Sequence, residues 1–254
     1  MYTLPPSQPG DIIFLSPNSA KSVSTAAQSI VRQMEARHGH VALAVKQGNA
    51  IHAMPKHGIR AQPIRALLLD SKYGEFKVFR NRNLDPNGEV LRRLEDNAWF
   101  HQAQKYNWRF FFPSRRDASF CSELAAKTYR LIGILVSPRS PSATLPIDIY
   151  RFISGEPDWE DVTEAYAEFF LTEKWDSTHD LASNAVRRIE EFNQHMGIGQ
   201  RALVDKIDRI AKNSSQGPTD IRPSRDYWNN APSRKTGMMT KICRRFFEGR
   251  SRKP

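Results

Sequence analysis

Three residues of this chain have the types and the order of a thiol-dependent hydrolytic site. His40 begins an alternating apolar stretch, His52 lies on the next such stretch, and Cys121 begins a run with helical spacing. A cysteine attacks a carbonyl as thiolate, and both a helix N-terminus and a nearby imidazolium lower the pKa of its thiol. The order therefore predicts a nucleophile at the start of a helix and two histidines on adjacent strands.

Each of the three residues has a distinct predicted role. Cys121 would attack the carbonyl, and His40 would take the thiol proton and later give it to the leaving group. His52 would bond the ring of His40 and fix its tautomer, as the third member of a triad does. The backbone N–H of Cys121 is the predicted donor to the oxyanion.

Other interpretations of the same residues stay open at this point. A single cysteine in a chain of this size is commonly a small, buried apolar residue. The four histidines at positions 38, 40, 52 and 57 could instead surround a metal ion, but their spacing matches no zinc pattern. We therefore expect no metal and no cofactor.

The two strand histidines impose a geometric condition. Successive residues of a strand point to opposite faces of the sheet. In a hairpin, His40 and His52 therefore share a face only if their connection has an odd number of residues or a bulge. The loop-like residues 46–49 do not fix this number, and rings on opposite faces would contradict the triad.

The elements that must position these residues indicate an α+β fold. Strands are predicted over residues 8–15, 40–46, 50–54 and 76–80, with a further extended segment from Gly58. Helices are predicted over residues 20–37, 88–106, 121–131, 163–170, 182–192 and 202–211. The aromatic segment 108–112 either lines a cleft for an apolar group or packs in the core.

Four segments in this order resemble the circularly permuted NlpC-type papain-like cysteine hydrolases. They are GDIIF at 10–14, HVALAV at 40–45, IHAMP at 51–55 and FCSEL at 120–124. That group includes the YiiX/YaeF amidases and relatives of lecithin:retinol acyltransferase, and its histidine strand precedes its cysteine helix. The resemblance, over residues 8 to about 165, implies an antiparallel sheet with the cysteine at a helix N-terminus. It also implies that Cys121 is the nucleophile, His40 the base and His52 the third residue.

The resemblance implies two substrate classes. The amidase group often has Glu where this chain has His52, and a histidine there is closer to the acyltransferase relatives. The sequence around Cys121 is similar to the amidases. We therefore expect cleavage of an amide in a cell-wall peptide, with a phospholipid ester as the alternative substrate. A non-enzymatic binding module with a basic tail is the third interpretation, because fold resemblance alone does not establish activity.

Charge is distributed unevenly along the chain. The formal net charge is +11, and residues 221–254 hold ten Lys or Arg against Asp226 and Glu248, whereas residues 156–180 hold nine acids. This asymmetry argues against a uniformly basic nucleic-acid binder. The tail would contact a membrane surface or serve as a flexible solubilising segment. We expect a catalytic domain at 1–165, a helical extension at 166–212 and the tail at 213–254.

The sequence predicts neither a membrane span nor an N-terminal signal segment. No apolar run approaches the roughly 18 residues of a membrane-spanning helix, and the first residues lack a basic and apolar signal segment. The two cysteines, Cys121 and Cys243, do not form a disulfide framework. We therefore expect synthesis in the cytoplasm. An antibacterial effector, delivered by a dedicated secretion system and paired with an immunity protein, is a further hypothesis.

Overall fold

An antiparallel sheet of six strands forms the centre of the protein. The computed structural model describes residues 6–18, 23–46, 48–102, 104–108, 117–172 and 177–195. The strands of the sheet are β1 (Ile12–Pro17), β2 (His40–Val45), β3 (Asn49–Met54), β4 (Gly58–Pro63), β5 (Tyr73–Asn81) and β8 (Trp159–Asp161). Their order across the sheet is β4-β3-β2-β1-β5-β8. A separate parallel pair joins β6 (Lys105–Tyr106) to β7 (Ala118–Ser119).

Seven α-helices accompany these strands within the described part of the chain. They are α1 (Val23–Arg32), α2 (Ile64–Leu68), α3 (Glu89–Phe100), α4 (Cys121–Arg130), α5 (Pro146–Ile153), α6 (Thr163–Phe170) and α7 (Ser177–His195). None of these helices combines the length and the apolar character that crossing a bilayer requires. The mixture of an antiparallel sheet with packed helices confirms the predicted α+β class.

The sheet carries a hydrophobic core on each face, because apolar residues of β1 point alternately to both sides. Ile12 and Phe14 pack with Ala125 and Tyr129 of α4. Ile13 and Leu15 pack on the other side in the cluster that holds Tyr166, Phe169 and Phe170 of α6. Because these three residues of α6 are buried in the cluster, the packed core continues beyond residue 165.

Several predicted elements differ from the observed ones in extent. The helix predicted over 88–106 ends at Phe100, because Lys105 and Tyr106 pair instead with Ala118 and Ser119. The first helix ends at Arg32, before Gln33 takes a φ of 54°. Short elements α2 and β8 were not predicted, since five and three residues are too few to show a period.

The helical stretch after residue 170 is partly described. Helix α7 contains the predicted helix 182–192, and Ser183 exchanges hydrogen bonds of 3.0 Å with Asn49 at the start of β3. The predicted helix 202–211, the basic tail 213–254 with Cys243, and residues 109–112 of the aromatic segment lie outside the described residues.

Candidate active site

The strand register brings the two predicted histidines together. Strands β2 and β3 pair Ala42 with His52 and Val45 with Asn49, so three residues connect them and the odd-number condition is met. His40 and His52 therefore project from the same face. The Nε2 atom of His40 lies 2.9 Å from Nδ1 of His52, a hydrogen bond between two buried rings.

Cys121 lies where the pairing of β2 with β3 ends. It is the first residue of α4, and it is buried in the cluster that contains Val41. The paired residues of β2 and β3 stop at Ala42, so Val41 lies beyond the last pair. A backbone hydrogen bond from Val41 acts to lower the pKa of the Cys121 thiol. The thiol is thus held against the peptide that links Val41 to His40.

Tyr73 forms a further wall of the same site. Its ring stacks on His40 with centroids 5.9 Å apart and an interplanar angle of 13°. Burial raises the pKa of Tyr73, and the charge of the Cys121 thiolate raises it further. Tyr73 therefore lies near both residues, although no motif in the sequence marked it. The predicted strand began at residue 76, whereas β5 begins at Tyr73.

Burial keeps the resting histidines neutral. It lowers the pKa of His40 well below the usual value, and the neighbouring His52 and Lys72 lower it further. Burial likewise lowers the pKa of His52 to about 4. Desolvation disfavours the charged form of a histidine. At neutral pH the pair is therefore uncharged and available to accept a proton.

The pKa of the Cys121 thiol is shifted in the direction opposite to the sequence-based expectation. Burial raises it, while hydrogen bonds from the backbone of Val41 and from Ser122 act to lower it. The sequence suggested that the helix N-terminus would dominate and lower this pKa. The Cys121 thiol and the two imidazoles are therefore all neutral at rest.

A buried polar network fixes the start of the cysteine helix. Glu123 is fully buried, and its carboxylate accepts a hydrogen bond of 2.7 Å from the side chain of Asn107. Lys127 forms a 3.1 Å ion pair with the same carboxylate, and Lys127 also donates to Ser119. The backbone N–H of Phe120, directly before the nucleophile position, lies 3.4 Å from Glu123 Oε2. These contacts tie the first turn of α4 to the β6–β7 segment.

The other histidines of the predicted metal alternative have separate surroundings. His38 bonds the hydroxyl of Ser16 at 3.0 Å and packs on Tyr150, while His57 lies in the exposed turn after β3. Among the described residues, no group of three or more His, Cys, Asp or Glu side chains is arranged to hold a metal ion.

Comparisons with known proteins identify the family of the chain. A family model for the permuted papain-like amidase enzymes, YaeF/YiiX, C92 family, matches residues 7–145, more than half of the chain. The chain also aligns with the crystal structure of the metalloprotein yiiX from Escherichia coli O157:H7, with 18% identity and a TM-score of 0.47, covering 63% of this chain and 97% of that chain. No curated protein matches it. The predicted resemblance is confirmed: the chain belongs to the YaeF/YiiX family of permuted papain-like amidases.

Proposed function

We propose that this protein hydrolyses an amide through a thioester on Cys121, with His40 as the base and His52 as the residue that positions it. The 2.9 Å bond between His40 Nε2 and His52 Nδ1 is the observation that carries the proposal. It occupies Nε2 of His40 and leaves Nδ1 as the atom able to exchange a proton with the thiol. The position of Cys121 against the Val41 backbone, next to His40, supports the same assignment.

Acylation then begins from a neutral pair. As the Cys121 sulfur attacks the amide carbon, its proton passes to His40 Nδ1, and His52 accepts a hydrogen bond from Nε2–H of the resulting imidazolium. The backbone N–H of Cys121 lies at the unpaired start of α4 and is the proposed donor to the carbonyl oxygen. His40 returns the proton to the leaving nitrogen, which departs as an amine and leaves a thioester.

Deacylation reverses these roles. His40 is neutral again after the amine leaves, so it takes a proton from water as the water oxygen attacks the thioester carbon. The tetrahedral intermediate collapses, the C–S bond breaks, and the proton returns to the sulfur. The products are a carboxylic acid and the free enzyme.

We propose a cell-wall peptide as the source of the amide. The match to an amidase family supports an amide over an ester. The phospholipid ester is the alternative that the experiment must separate from it. Delivery to a target envelope and an immunity protein stay predictions from the sequence.

Two substrates assayed in parallel test this proposal. We expect the wild type to cleave a peptide bond in purified peptidoglycan, and Cys121→Ala to lose that activity by at least about 1000-fold, because the nucleophile is removed. Cys243→Ala is the matched control and should retain full activity. Products are read by mass spectrometry. Release of fatty acid from phospholipid vesicles by the wild type, but not by Cys121→Ala, would show that the substrate is an ester and not an amide. Undiminished cleavage by Cys121→Ala would refute the thiol mechanism.

A further inference from the structure

An arginine lies directly across from His52 in the sheet. Strands β3 and β4 pair His52 with Arg60, and residues opposite each other in antiparallel strands project from the same face with Cβ atoms about 5 Å apart. Ile59 and Ala61, which point to the other face, are buried, whereas Arg60 is exposed. The guanidinium is therefore presented to solvent beside the histidine pair.

The other charged groups near the histidines neutralise each other. Lys72 lies close enough to lower the pKa of both His40 and His52, and Asp70 acts in the opposite direction on His52. However, Lys72 Nζ lies 2.9 Å from Asp70 Oδ2 in an ion pair. Arg60 also lowers the pKa of His52, and its guanidinium makes no ion pair within the described segments. Among the described residues, one positive charge without an ion-pair partner therefore lies beside His52.

We propose that Arg60 forms a carboxylate subsite beside the His40–His52 pair, so that the preferred substrate is an acidic peptide with a free carboxylate close to the cleaved amide. This inference rests on the proposed amidase function and specifies its substrate class. An arginine binds a carboxylate through two parallel hydrogen bonds, which gives orientation as well as charge complementarity. The Lys72–Asp70 ion pair adds little to the preference for an acidic substrate, because Asp70 repels a carboxylate while Lys72 attracts it.

A matched pair of substrates tests the subsite. The probes are one cell-wall muropeptide with a free glutamate carboxylate and the same muropeptide with that group as a carboxamide. We expect the wild type to show kcat/KM at least tenfold higher for the free acid. Arg60→Gln should bring this ratio close to one. Arg92→Gln is the control, because Arg92 is an exposed arginine on α3 that pairs with Glu89. An unchanged ratio in Arg60→Gln would overturn the proposal.

Direct binding separates this inference from the proposed function. Cys121→Ala should bind the free acid at least tenfold more tightly than the carboxamide in isothermal titration calorimetry, and Cys121→Ala with Arg60→Gln should bind both alike. If the wild type cleaved both muropeptides with equal efficiency and Cys121→Ala bound both equally, the proposed subsite would be refuted and the proposed amidase function would stand. If the free acid bound selectively but the wild type cleaved neither muropeptide, the subsite would be supported and the proposed amidase reaction would be refuted. Because Arg60 is exposed, the variant should unfold at the wild-type urea concentration.

Discussion

Replacing His40 with alanine should lower kcat/KM for the amide substrate by roughly 100- to 10,000-fold, the range expected for loss of a general base. The thiol of Cys121 is buried and its pKa is raised, so it depends on an adjacent acceptor to lose its proton. His40 is the proposed acceptor. Steady-state kinetics on the peptidoglycan product assay measure the effect.

The control for His40 is another histidine of the same hairpin region. His57→Ala changes an exposed residue in the turn between β3 and β4 and should leave kcat/KM within about twofold of the wild type. A loss of activity in His57→Ala equal to that in His40→Ala would show that the effect is not specific to the site. Retained activity in a folded His40→Ala protein would exclude His40 as the base.

The pH dependence follows from the direction of the histidine pKa shift. A base works in its neutral form, and burial lowers the pKa of His40 well below 6.5. The acidic limb of the kcat/KM profile should therefore lie below pH 6.5, with activity retained at pH 6. An acidic limb centred at or above pH 6.5 would contradict the lowered pKa of His40 and would mean that its ring is exposed to water in the free enzyme.

Replacing Glu123 with leucine should destabilise the protein by about 3–5 kcal/mol, the cost of removing one partner from a buried ion pair. The substitution removes the Glu123 carboxylate from the largely buried Lys127 ammonium and from the Asn107 amide. Urea unfolding at pH 7 measures the loss. Because Glu123 also contacts the Phe120 N–H, catalytic activity should fall even under conditions where the variant remains folded.

A second variant distinguishes loss of pairing from loss of packing. Glu123→Leu combined with Lys127→Met removes both charges, so the double variant should be more stable than Glu123→Leu alone. If the loss of unfolding free energy in the double variant equalled the sum of the losses in Glu123→Leu and in Lys127→Met, the two charges would not be coupled. A Glu123→Leu protein within about 0.5 kcal/mol of the wild type would contradict the role given to this network.

Much of the site could be predicted because its residues lie at positions with strong local patterns. His40 begins a strand and Cys121 begins a helix, both as the apolar spacing indicates. The register between His40 and His52 could not be read from residues 46–49, since loop composition alone does not set the number of residues left unpaired. The structure was needed to show that three residues separate the pairs.

The residues that were missed act through tertiary contacts. Tyr73 reaches His40 from a strand whose first residues lack an alternating pattern, and Arg60 faces His52 only because β4 is the next strand of the sheet. The direction of the Cys121 pKa was also missed, because a sequence shows the helix N-terminus but not the depth of burial. The domain limits and the role of the basic tail stay predictions.

The most direct test of the central claim is to identify the atom that carries the acyl group. An activated p-nitrophenyl ester of the peptide should acylate the enzyme faster than the thioester hydrolyses, so that an acid quench during turnover traps the intermediate. Mass spectrometry of proteolytic fragments should then show the acyl mass on the peptide that contains Cys121. The adduct should persist in Cys243→Ala and be absent from Cys121→Ala. Turnover by Cys121→Ala at the wild-type rate, with no adduct on Cys121 in the wild type, would contradict the account.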